Sequence, residues 1–172
     1  MSGNDLVLPL FVTEERDEIV AIPSMPEQFR WPVERLVEKI IEWRSLGLRA
    51  FALFPHLNAS KKNEEGKEIL NPDSLVYRAA RRIKEEADDI ALIGDLALDP
   101  YTSHGHDGIL SDDGRVDNDL TVEALCKAST LAAEAGFDLL APSDMMDGRI
   151  LKIRETLEGA GFTQTGIISY SA

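Results

Sequence analysis

The sequence predicts an α/β fold built on a parallel sheet, and three observations predict it. Short runs that are almost wholly apolar, such as residues 6–12, 49–54 and 90–95, read as strands buried on both faces. Longer amphipathic stretches of helical period lie between them. The two kinds of element alternate in repeated βα units, which implies parallel neighbours.

Taken in order, residues 6–12 form the first strand, with Pro9 limiting its pairing. Residues 32–46 form a helix. Val33, Leu36, Val37, Ile40, Ile41 and Trp43 gather mostly on one side, Pro32 suits the first turn and Gly47 the stop. Residues 49–54 form the second strand, and a polar loop, 56–73, follows. Residues 74–87 form the second helix, with Leu75, Val76, Ala79, Ala80 and Ile83 inward. The third strand covers 90–95, and a loop rich in Gly, His and Asp covers 99–118. The third helix, 121–135, is N-capped by Asp119 or Thr121 and stopped by Gly136. A strand at 137–141, a helix at 148–159 and a strand at 165–170 complete the order β-α-β-α-β-α-β-α-β.

Two closures fit this order: an open doubly wound sheet, or part of a (β/α)8 barrel. No G-x-G-x-x-G follows the first strand, which weakens a dinucleotide site. The last element is a strand with no helix after it, which favours the barrel. The expectation is one domain over residues 1–172: strands 1–5 and helices 1–4 of a (β/α)8 barrel, cut after strand 5. Such a half-barrel leaves two unpaired edges, so the polypeptide alone is expected to aggregate or dimerise through them.

Composition narrows the partners. Eighteen basic against 31 acidic residues give a net charge of -13. Neither a phosphate backbone nor an anionic membrane surface attracts such a chain. One cysteine, Cys126, in an apolar helical stretch, excludes an intrachain disulfide and a cysteine zinc cluster and reads as an inert thiol. No run is apolar enough to span a membrane, and Met1 to Asp5 lacks the basic start of a signal peptide; the expected location is cytoplasmic.

Chemistry in either closure gathers beyond the carboxyl ends of the strands. Alternation puts Asp95, Ala97 and Asp99 on one side, and a turn at Gly105 can bring Asp107 back to them. Three converging carboxylates can hold a hard cation, or raise one another's pKa and so make a proton donor or acceptor. A solvated polar loop explains the same residues without chemistry. His104 and His106 share a parity suited to metal, but a structural hydrogen-bonding role fits them better without a third ligand. His56 reads as a loop residue. After the fourth strand, Ser143 or Asp144 can cap a helix or face a substrate; Met145 and Met146 read as packing residues. Ser169, Tyr170 and Ser171 at a strand end carry little alone.

Together these stretches resemble the porphobilinogen synthase (5-aminolevulinate dehydratase) family. Its D-x-A-L-D-P-Y-T-x-H-G-H-D-G pattern matches residues 95–108, A-P-S-D-M-M-D-G-R matches 141–149, and S-Y-S-A matches 169–172. L-P-L-F-V at 8–12, S-M-P at 24–26 and Asn118-Asp119 before a helical Thr support it, so the resemblance runs along essentially all 172 residues.

The resemblance implies a (β/α)8 barrel that condenses two molecules of 5-aminolevulinate into porphobilinogen for tetrapyrrole and heme synthesis. It implies Schiff-base chemistry on lysine amines. It implies catalytic roles for Asp95, Asp144 and Tyr170, and substrate binding by Asp99, Asp107 and Ser143, with Asp95 first choice for proton transfer or imine orientation. Branches with an active-site metal carry three cysteines where this chain has Ala97, Asp99 and Asp107, so the aspartate-rich, zinc-independent type is expected. An allosteric Mg2+ is common in that type, its ligand lying in the family's second half, and the full-length family forms a homo-octamer. The family pattern continues S-Y-S-A-K, its second catalytic lysine lies on the sixth strand, and its lid arginines and N-terminal arm have no match here. No lysine present matches a Schiff-base position, so this polypeptide alone is expected to be inactive. Two other readings stay open: a non-catalytic half-barrel that binds a keto acid or a subunit, and a different metal-assisted lyase using the Asp cluster.

Overall fold

The structure is a computed structural model and describes residues 2–15 and 18–170. Ser171 and Ala172, which complete the S-Y-S-A motif, lie outside the described residues.

The strands are β1 (Val7–Thr13), β2 (Val20–Ala21), β3 (Phe29–Pro32), β4 (Ala50–His56), β5 (Ala91–Asp95), β6 (Leu139–Ala141) and β7 (Gly166–Ile167). The helices are α1 (Val33–Ser45), α2 (Leu75–Glu86), α3 (Asn118–Glu134) and α4 (Arg149–Gly159). One sheet runs in the order β2-β3-β1-β4-β5-β6-β7, with every pair parallel except β2 with β3. The expected sequence of βα units is therefore present, as a segment of barrel wall.

Register decides which side chains share a face. Leu10 pairs with Leu53, and Leu53 with Gly94, which pairs with Leu140. This set, with Val12, Phe51 and Leu92 of the same parity, is almost fully excluded from solvent. Leu36, Ile40, Ala79, Ile83, Leu125, Ala128, Ile153 and Leu157 of the four helices pack with it in one core. Gly94 is glycine because the Phe137 ring lies over it: a Cβ there would come within 3.1 Å of the ring. The opposite parity, with Phe11, Ala52 and Phe54, is only half-buried and forms the inner face of the wall. Burial on both faces, expected from the apolar strands, is thus met fully on the helix side and in part on the inner face, where Thr13, Ile93 and Ala141 are buried.

Several elements differ from expectation. β2 and β3 were not expected. They pair antiparallel around a tight turn in which Gln28 N donates to Met25 O at 3.1 Å and Glu27 takes a φ of 63°. Runs of two and four residues are too short to show a period. β3 covers β1 only from Phe11 to Thr13, so Pro9 has a strand neighbour on the β4 side alone. The sheet therefore ends on β2 and β7, of two residues each, rather than on two long bare strands. Pro32 ends β3 rather than opening α1. The N-cap of α3 is Asp117, whose carboxylate accepts from Leu120 N at 3.0 Å, not Asp119 or Thr121. β7 is shorter than expected, although Ile168 N still donates to Leu140 O at 2.8 Å. Among the described residues no helix is long and apolar enough to cross a membrane.

Candidate functional site

The carboxyl ends of the strands build the site. Phe11 pairs with Phe54, and the next row beyond Leu53 and Gly94 brings Phe54 level with Asp95, which pairs with Ala141. This row floors a cleft of about 490 Å³ lined by Phe11, Phe54, Pro55, Lys62, Asp95, Asp99, Pro100, Asp107, Ser143 and Tyr170. The two phenylalanine rings sit side by side, centroids 5.7 Å apart, as an apolar platform. The carboxylates line the same cleft.

Asp95, the last residue of β5, accepts a 2.7 Å hydrogen bond at Oδ1 from Ser143 Oγ. Burial pushes its carboxyl up to about 6; the Ser143 bond offsets part of this, and the charges of Asp107 and Asp144 add to the rise. Asp99, beyond the strand, shares a hydrogen bond with Asp107. Burial first, then that bond and the neighbouring carboxylates, raise Asp99 above the usual carboxylate range.

The loop over residues 96–117 that carries Asp99 and Asp107 is tied down at several points. Thr102 is buried, donates to His106 O at 3.0 Å and forms an isolated parallel bridge with Asn63 of the β4–α2 loop. Ile109 N donates to Thr121 Oγ1 at 3.0 Å, and a Cβ at Gly108 would meet that same oxygen at 2.9 Å, so the loop lies flush on α3. His104 Nε2 lies 3.0 Å from Glu64 O, and its Nδ1 accepts from His106 N at 3.1 Å. These two histidines brace the loop.

Of the six expected site residues, Asp95, Asp99, Asp107, Ser143 and Tyr170 meet in this cleft. Asp144 does not line it, which corrects its expected place on the wall. Its side chain is wholly buried beneath the cleft, where Oδ1 accepts from Met146 N at 2.8 Å and Oδ2 faces Arg149 Nε at 3.2 Å. That ion pair lacks the angle of a hydrogen bond and leaves both atoms without one. Burial raises the Asp144 carboxyl, offset by the Met146 bond and the Arg149 charge. Arg149 Nη1 also donates to Met146 O at 3.0 Å, so the pair fixes the turn that carries Ser143. His56 ends β4 rather than lying in a loop, and its buried Nδ1 has no partner. Burial, with the charges of Arg30 and Lys62, holds its imidazole below the ordinary value.

Phe11, Phe54, Pro55 and Lys62 were not anticipated. For Phe11 and Phe54 the available signal was an aromatic at the carboxyl end of a strand, on the parity of Asp95; for Pro55 it was only its place at the end of the strand. For Lys62 there was none, since it is one of two adjacent lysines in a polar loop.

Ala97, Asp99 and Asp107 supply a buried methyl group and two carboxylates, a donor set that does not fit a zinc–thiolate centre.

The model of the delta-aminolevulinic acid dehydratase family matches residues 1–172. A delta-aminolevulinic acid dehydratase of Bradyrhizobium diazoefficiens is 43% identical over 172 residues, covering 100% of this chain and 48% of that protein. One from Chlamydia pneumoniae is 43% identical over 171 residues, covering 99% of this chain and 51% of its own length. A crystal structure of the Toxoplasma gondii dehydratase (porphobilinogen synthase), in complex with the reaction product porphobilinogen, superposes with a TM-score of 0.96 at 46% identity. It covers 99% of this chain and 49% of that one. The chain thus spans about half the length of the relatives it matches. With a matching model along its whole length and a wall of parallel strands that superposes on a solved member, the chain belongs to the delta-aminolevulinic acid dehydratase family.

Proposed function

We propose that this chain forms the acidic wall of a porphobilinogen synthase active site, where two molecules of 5-aminolevulinate condense to porphobilinogen in tetrapyrrole synthesis. The observation that carries the proposal is the meeting of Asp95, Asp99, Asp107, Ser143 and Tyr170 over an aromatic platform at the strands' carboxyl ends.

The roles follow from the geometry. Ser143 Oγ holds Asp95 Oδ1, which leaves Oδ2 to take or give a proton. A carboxyl near 6 does both at neutral pH, where an ordinary aspartate remains ionised. Asp99 and Asp107, side by side on the cleft wall, offer carboxylate oxygens suited to a substrate ammonium. Phe11 and Phe54 pack the aliphatic keto chain and keep water from one side. Tyr170, half exposed at the rim, offers a hydroxyl to the same space. The imine-forming amines come, on this proposal, from the part of the family's length that these residues do not span. The proposal extends to the zinc-independent type, a magnesium requirement met by residues elsewhere in the full-length protein, octameric assembly and a cytoplasmic location.

The test is to express the full-length protein and assay it with 5-aminolevulinate. Porphobilinogen formation that persists with a zinc chelator, and inactivation by sodium borohydride only when substrate is present, are the expected results. A folded full-length protein that forms neither product nor a trapped imine overturns the proposal.

A further inference from the structure

We propose that Asn118 is a positioning residue of the cleft: it lies outside the cleft lining but, by holding the backbone of Asp147, sets where Ser143 presents its hydroxyl to Asp95. The inference goes beyond the proposed function and rests on it for only one of two readouts.

Ser143 lies on the turn between β6 and α4, and the rest of that turn is braced from within. Asp144 Oδ1 accepts from Met146 N at 2.8 Å, Asp144 Oδ2 faces Arg149 Nε at 3.2 Å, and Arg149 Nη1 donates to Met146 O at 3.0 Å. These contacts make residues 144–149 one block, but they do not fix where the block lies against the sheet. Among the described residues, the hydrogen bonds that join residues 142–149 to another element are that of Ser143 to Asp95 and those of Asn118. Asn118, the first residue of α3, accepts from Asp147 N at 2.7 Å through Oδ1 and donates from Nδ2 to Asp147 O at 3.3 Å. The same Nδ2 donates to Asp119 Oδ1 at 3.2 Å, so a donor at one end and acceptors at the other orient the amide. A side chain that pairs with both polar groups of one backbone residue holds it in place and in direction, as a neighbouring strand would.

Asn118 is itself anchored. Asp117 N donates to Ile109 O at 2.8 Å, and Thr121 Oγ1, one turn later, accepts from Ile109 N at 3.0 Å. Ile109 follows Asp107 by two residues. Asn118 therefore sets two separate connections, the one that bears Asp107 and the one that bears Ser143, in a single frame. Without it the block is free to move, and a displacement of about 1 Å is enough to carry Ser143 Oγ out of hydrogen-bond range of Asp95. Asp95 would then lose the contact that lowers its carboxyl and keep the burial and the charges of Asp107 and Asp144 that raise it.

The full-length protein provides the test, as wild type, Asn118→Ala, Asn118→Leu, Ser143→Ala and the double variant Asn118→Ala/Ser143→Ala, with each fold checked by circular dichroism. Asn118→Leu loses both bonds while keeping the side-chain volume, and it decides the matter if Asn118→Ala does not fold. Crystal structures give the first readout: the Ser143–Asp95 bond present in the wild type and longer than about 3.5 Å in the Asn118 variants. The pH dependence of kcat/KM for porphobilinogen formation gives the second. Its limb near pH 6, set by Asp95, should move up by about 0.5–1 unit in Asn118→Ala, as far as in Ser143→Ala and no further in the double variant. An intact Ser143–Asp95 bond in the Asn118 variants, or a fall in activity that is even across pH with the limb unmoved, overturns the inference. A wild type that makes no porphobilinogen sinks the proposed function instead, and the crystal structures then decide this inference alone.

Discussion

Two groups of shielded carboxylates occupy this molecule, and the fold treats them in opposite ways. Glu14 and Glu68, each with only 13% of its side chain exposed, are met by cations: Lys61 joins both and Arg78 reaches Glu14 at 3.5 Å. Asp95, Asp99 and Asp107 have no such partner among the described residues; they are met by a serine hydroxyl and by one another. The first arrangement satisfies charge and holds the β1, β4 and α2 ends together. The second leaves charge unsatisfied, which costs stability and raises the carboxyls of Asp95 and Asp99. The lesson is that the acid count of a cleft says less than where the neighbouring cations point. Asp144 lies between the extremes, a buried carboxylate answered by Arg149 without a hydrogen bond.

The contrast can be broken from either side. The largest effect is expected from Asp95→Asn in the full-length protein. Removing a proton-transfer group should lower kcat by about 10²–10⁴ while the fold persists, as read by steady-state assay and circular dichroism; a loss below about tenfold would remove Asp95 from the chemistry. Next is Asp144→Ala, which strands a largely buried Arg149 and should lower the urea-derived unfolding free energy by about 3 kcal/mol.

The third effect has the opposite sign. Because the folded Asp95 carboxyl lies above its ordinary value, the native state holds its proton where the unfolded chain does not. The penalty is absent below about pH 4, grows as pH rises through about 6, and is complete above that. Asp95→Asn should therefore stabilise the protein by about 1–2 kcal/mol at pH 7.5 and leave it unchanged at pH 4, measured by urea unfolding at both values. A destabilised variant at pH 7.5 would show that Asp95 is structural. The smallest effect is expected from Glu14→Gln, about 0.5–1 kcal/mol of destabilisation with kcat retained, because its partners are partly exposed.

Much of this was legible in the sequence. Apolar runs and helical periods located five of the seven strands and all four helices, since each buries a long enough stripe to carry a period. β2 and β3 were hidden because Phe29–Pro32 owes its extension to pairing with β1, and Val20–Ala21 to pairing with β3, which are tertiary facts. Asp95, Asp99 and Asp107 could be grouped by parity and a turn. Asp144 could not be separated from them, because the motif holds both Asp144 and Arg149 but does not show that the chain folds back to pair them. Lys61 and Lys62 are chemically identical in the sequence, and only the direction each takes from its 3-10 turn, toward Glu14 or toward the cleft, tells them apart.

The small bridge between Asn63 and Thr102 has a wider reach than its size suggests. It clasps the chain's two longest connections to each other, so the bank that bears Lys62 and the bank that bears the acids are held as one piece. A guest that settles one bank settles the other, and a residue inserted on either bank would be felt on both.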